Sequence, residues 1–148
     1  VSTAAGTSCA KLARAISSKH KETIVLGKVI LWFSAVVFIA YGLACLISPA
    51  LPTGLAGLSI NTGDAYAEIS AMYGGLQTGF GLFCAFGALR SEFFRPALAS
   101  LVLVVGGLAL ARLFATLMGD DPVGSYTYGA LAYETTTAVL ARLALRKP

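Results

Sequence analysis

Charged residues are so sparsely placed along the chain that the gaps between them define its elements. No Asp, Glu, Lys or Arg interrupts residues 29–63, a second uncharged run covers 69–89, and a third covers 96–111. A hydrocarbon core about 30 Å thick takes about 20 helical residues, so each run has room for a membrane span. The first span is expected at 29–47, after which Pro49, Pro52, Gly54 and Gly57 read as a loop that cannot continue a helix. The second is expected at 65–89, with Asp64 placed to accept the free amide protons at its start. The third, at 97–118, has Pro96 in its first turn, and the fourth, at 126–145, follows the Gly- and Asp-rich break at 119–124. Four spans cannot close a barrel, and lipid offers the backbone no partner, so helices are the expected form. The expected fold is an all-α, integral membrane, antiparallel four-helix bundle.

Composition agrees. Of 148 residues 57% are hydrophobic and 12% charged, about half the charge that a soluble domain carries. The chain is too short for two domains, too apolar for disorder, and three cysteines make no disulfide scaffold. All but one of the 11 Lys and Arg fall in three places: residues 1–28, the turn at Arg90 and Arg95, and the end at Arg142, Arg146 and Lys147. The other two loops carry Asp64, Asp120 and Asp121 and no basic residue. The positive-inside rule therefore puts both termini on the cytoplasmic side, or on its stromal or matrix equivalent. Basic residues divided among three patches at a membrane face, without interleaved aromatics, point to lipid contact and topology, and away from nucleic acid.

The chain divides into a basic tail (1–28), the span region (29–145) and a short basic end (146–148). The tail is rich in Ser and Ala and has no acidic residue before Glu22. That is the composition of an organellar transit segment or its remnant. Leu12, Ala13 and Ile16 share a helical face that would also suit the headgroup region, and an ordinary cytoplasmic tail remains equally open. Cys45 and Cys84 are expected near opposite ends of the bundle, too far apart to pair. With Cys9 they read as free thiols. A single histidine, His20, lies outside the spans, which leaves neither haem nor zinc expected. If a pigment binds, its ligand would come from Gln77, Asn61, a carboxylate, water or the backbone.

Three charges remain inside the spans. At about 1.5 Å per residue, Glu68 lies roughly 5 Å, Arg112 roughly 9 Å and Glu134 roughly 12 Å from the non-cytoplasmic helix ends. An unpaired charge there costs at least about 2.5–3.5 kcal/mol, so Arg112 is expected between Glu68 and Glu134, with Asp120 close by. Glu68 shares a stripe with Met72, Gly75, Gly79 and Leu82, and Glu134 shares one with Ala130, Ala138 and Ala141. Small residues beside a charge mark packed faces, and Gly75 and Gly79 form a GxxxG. Asn61, Tyr66, Tyr73 and Tyr133 fall in the same half and are candidate pocket-lining residues. The set reads either as an ion-pair network with an interfacial aromatic belt, or as a polar pocket for a small amphipathic molecule, or as a path for protons or ions. An adjacent arginine lowers a carboxyl pKa, which argues against acid catalysis, and no catalytic or metal-ligating residue is assigned. Phosphate-loop, HExxH and GxSxG patterns are absent from the sequence.

The segment Glu68-Ile69-Ser70-Ala71-Met72-Tyr73-Gly74-Gly75-Leu76-Gln77-Thr78-Gly79-Phe80-Gly81-Leu82-Phe83 resembles the signature of an uncharacterised family of small four-span membrane proteins, distantly DoxX-like. Gly106-Gly107-Leu108-Ala109-Leu110-Ala111-Arg112, followed by Asp120 and Glu134, does so too. The resemblance covers residues 28–145. It implies the four-helix fold and the polar set Glu68, Arg112, Asp120 and Glu134, and brings no established activity. The long basic tail departs from the family and suggests an organellar setting, thylakoid or mitochondrial inner membrane, with a bacterial inner membrane as the alternative. The expected role is an accessory or structural subunit in contact with lipid and packed against a larger membrane complex, photosynthetic or respiratory. The alternative is an enzyme or carrier for a small lipophile that uses the Glu68, Arg112 and Glu134 pocket.

Overall fold

A computed structural model describes residues 3–146 of the chain, with side chains described for 17–146. All of its regular structure is helical. The helices are α1 (Thr3–Ile47), α2 (Ala50–Ala56), α3 (Gly63–Ile69), α4 (Leu76–Leu89), α5 (Ser91–Ser100), α6 (Gly106–Met118) and α7 (Ser125–Leu145). A π-helical stretch, Ser70–Gly75, joins α3 to α4, and a second, Leu101–Val105, joins α5 to α6. Two helices, Ser17–Ile47 and Ser91–Met118, are long and apolar enough to cross a membrane.

Helix ends follow local chemistry, with four departures from the sequence expectation. The chain does not break between tail and span region, since α1 is one helix through both. The stretch read as a loop after Ile47 holds the short α2, flanked by Pro49 as its N-cap and Gly57 as its C-cap, a glycine with φ of 70° that a side chain would disfavour. The cap of α3 is Thr62, not Asp64: the Thr62 hydroxyl accepts from the Ala65 amide at 3.1 Å, and Asp64 sits in the first turn, where its charge suits the helix dipole. Pro96 is inside α5, which begins earlier, at Ser91, with Glu92 in its first turn. The face proposed for Leu12, Ala13 and Ile16, the thiol of Cys9, and Lys147 lie outside the described side chains or residues.

The core is densest where α1, α4, α5 and α7 meet. Leu31, Ala35 and Phe38 of α1 pack with Cys84 and Ala88 of α4, Ala97 and Leu98 of α5, and Ala141 and Ala144 of α7. Phe38 meets Phe80 edge-on at 5.0 Å between ring centres, the favoured geometry for aromatic pairs. Cys45 and Cys84 are both buried and free.

Close approach of α1 and α4 depends on glycine. A Cβ on Gly81 would lie 2.7 Å from Ile39 Cγ1 and 2.8 Å from the Ile39 backbone nitrogen, and Gly42 sits directly against Thr78. Gly75 and Gly79, expected as packing glycines, are exposed, and a Cβ on either would meet nothing within 4 Å. Gly74 and Gly81 take the inward face, while the GxxxG pair faces out.

Beyond the second π stretch the third long helix leaves the core. Its α5 half packs on α4, α7 and α1, whereas α6 packs chiefly on α7. Only Ala109 is buried on α6, while Leu110, Phe114 and Leu117 are each about two-thirds exposed or more. The peripheral position of α6 creates the site described next.

Candidate functional site

Arg112 projects from α6 toward the middle of α7. Its Nε donates to Glu134 Oε2 at 3.0 Å, and its Nη2 donates to Oε1 at 2.8 Å. This paired, side-on geometry is the strong form of an Arg–carboxylate contact. Burial is unequal: Glu134 is 6% exposed, while the Arg112 side chain keeps 27% of its surface. The Tyr126 ring lies 6.0 Å from the guanidinium carbon, within cation–π range, and Tyr73 is close enough to act on the charge electrostatically.

The pairing engages Nε and Nη2 and leaves Nη1 without a protein acceptor among the described residues. Arg112 also lines an open groove of about 370 Å³ between α6 and the start of α7. Leu108, Ala111, Ala115 and Thr116 contribute the α6 wall, and Val123 and Thr127 the other. The α6 residues recur at helical spacing, so one face of one helix builds that wall.

Glu68 is exposed on α3 and makes no ion pair or hydrogen bond among the described residues, so Arg112 does not sit between two carboxylates. Its whole stripe faces outward with it, including Met72, Gly75, Gly79 and Leu82. Depth along an axis gives a residue's level; rotation about the axis decides what it meets, and the stripe is turned away from α6. Asp120 is exposed past the end of α6, and Asn61 and Tyr66 are exposed as well. Tyr133 points to α1, where it meets Phe33 and Phe38, and its buried hydroxyl lies near those of Ser34 and Thr137. None of Asn61, Tyr66, Tyr73 and Tyr133 lines the groove. Ala138 packs toward Gly106, where a Cβ would lie 3.5 Å from its own, and Ala130 is half-buried.

Sequence reasoning places Tyr126 in the same half of the bilayer as Arg112, where the ring does lie beside the guanidinium, and misses Thr127 as a neighbour. The available signal is Thr116, one turn after Arg112 on the same face, which marks the side of α6 that the start of α7 must cover. No group of three or more His, Cys, Asp or Glu side chains converges among the described residues.

These features define a small all-helical protein with two helices fit to cross a membrane and a partly buried Arg–Glu tie between its last two helices. The chain belongs to the family described as Domain of unknown function (DUF4345), which matches residues 26–145. No curated protein and no solved structure matches it.

Proposed function

We propose that this is a small integral membrane protein that serves as an accessory subunit, packed through an outer helix face against a larger membrane complex of photosynthetic or respiratory type. In this reading four helical segments span the bilayer, as the DoxX-like resemblance also implies, and both termini lie on the cytoplasmic, stromal or matrix side. The membrane is organellar, or a bacterial inner membrane. One observation carries the proposal: Glu68, Met72, Gly75, Gly79 and Leu82 form an outward stripe that the chain itself leaves uncovered. In lipid, faces of small residues are where helices approach closely, and a carboxylate at membrane depth calls for a partner. Glycines exposed to acyl chains gain nothing comparable.

Size separation in mild detergent tests it. The expected outcome is migration with a larger assembly, lost in a Gly75→Leu/Gly79→Leu variant that still folds. Migration as a lone small protein, or as a dimer only, counts against it.

The groove beside Arg112 favours a second reading, a binding site for a small lipophile. A mixed wall with a partly exposed guanidinium and two threonines has the character of a ligand site, mostly apolar with a few convergent polar groups.

A further inference from the structure

We propose that the groove between α6 and α7 takes an uncharged amphiphile bearing a carbonyl oxygen, with that oxygen accepting a hydrogen bond from Arg112 Nη1. The inference rests on the second reading above and adds the chemistry of the ligand. Glu134 already holds Arg112 through two hydrogen bonds, so the pair presents no net charge. A second anion at the guanidinium would also face the Glu134 carboxylate at close range, and like charges that close repel. Where lipid covers this open face, the two N–H groups of Nη1 need an acceptor, because leaving them unmet in an apolar setting is costly. A neutral carbonyl meets that need without adding charge. Thr116 and Thr127 supply hydroxyls on either side of the groove, and Leu108 and Ala115 supply wall for a chain. At about 370 Å³ the groove is near the lower end for ligand sites, enough for a small head and the first part of a chain. The carbonyl can belong to an acyl ester of a bilayer lipid or to a free small lipophile.

The test uses the full chain in maltoside micelles and follows its melting temperature with four probes: methyl decanoate, dioctanoylglycerol, decanoate and undecane. One or both esters should raise it by roughly 3–6 °C, while decanoate and undecane leave it unchanged. A larger effect of dioctanoylglycerol assigns the site to bilayer lipid, and a larger effect of methyl decanoate assigns it to a small lipophile. Ala115→Leu, which fills the groove from an exposed position, should abolish the shift, and Thr127→Val should reduce it. A shift by decanoate equal to that of the esters overturns the carbonyl assignment but keeps the groove as a site. No shift with any probe, an equal shift with undecane, or a shift that survives Ala115→Leu overturns both.

Discussion

At the scale of single residues, the Arg112–Glu134 pair is asymmetric, and the asymmetry predicts what its loss would do. Glu134 is almost fully enclosed, whereas Arg112 keeps a quarter of its side chain at the surface. Removing the arginine therefore strands a buried carboxylate, and breaking such a pair from one side costs about 3–5 kcal/mol. Arg112→Leu should lower unfolding free energy by about that much, read by denaturant titration in micelles. Replacing both partners, as Arg112→Met with Glu134→Leu, should recover most of the loss, because two apolar side chains of similar volume need no counter-charge. If the double variant is as unstable as the single one, the pair is not what the second substitution relieves. Arg112→Lys should be intermediate, since an ammonium cannot reproduce the two-point contact. The pairing was only half legible in the sequence. The cost of an intramembrane charge required a partner for Arg112, and depth selected Glu68 and Glu134 alike. Their azimuths decided between them, and azimuth depends on how each helix is rotated by its neighbours.

Among the elements, ends were easier to read than faces. Ile47, Leu89, Met118 and Leu145 end helices where the uncharged runs meet Pro, Gly or charge, because those residues act locally on the backbone. The early starts of α1 and α5 were not legible from apolarity, since a helix continues through polar residues when nothing breaks it. Nor were the π stretches, which no single residue type signals. Two substitutions separate the inward face of α4 from the outward one. Gly81→Leu puts a side chain where Ile39 already sits and should prevent the bundle from forming, scored as aggregation on extraction. Gly79→Leu meets open space and should leave melting unchanged or raise stability by up to about 1 kcal/mol, the helix-propensity difference from glycine. An equal loss of fold in both would mean that the outward stripe is covered by the chain after all.

For the whole molecule, the deciding feature is the separation of charge along the bundle. Lys19, Lys21 and Lys28 at the start of the packed part of α1 share an end with the α4–α5 turn and the last turn of α7. Gly27 meets Phe94 there, and α1 residues Leu26 and Val29 share a groove with Leu140. Arg90, Arg95, Arg142 and Arg146 are exposed at that end. Asp64, Asp120 and Asp121 are exposed in or beside the connections at the other. In the proposed membrane reading, the basic end is cytoplasmic or its equivalent and the apolar faces of α1 and α6 meet acyl chains. In a Cys9→Ser background the two buried thiols, Cys45 and Cys84, should resist a membrane-impermeant maleimide. Ser91→Cys should then label only from the cytoplasmic or equivalent side, and Asp121→Cys only from the opposite side, in sealed vesicles of known orientation. Labelling of both from one side would remove the third span and with it the four-span bundle. Labelling from the expected sides in reverse would keep the bundle and invert it, putting the Arg112 groove in the cytoplasmic leaflet. Since α6 carries the groove and leads directly to Asp121, this one experiment also fixes which leaflet supplies any lipid that enters beside Arg112.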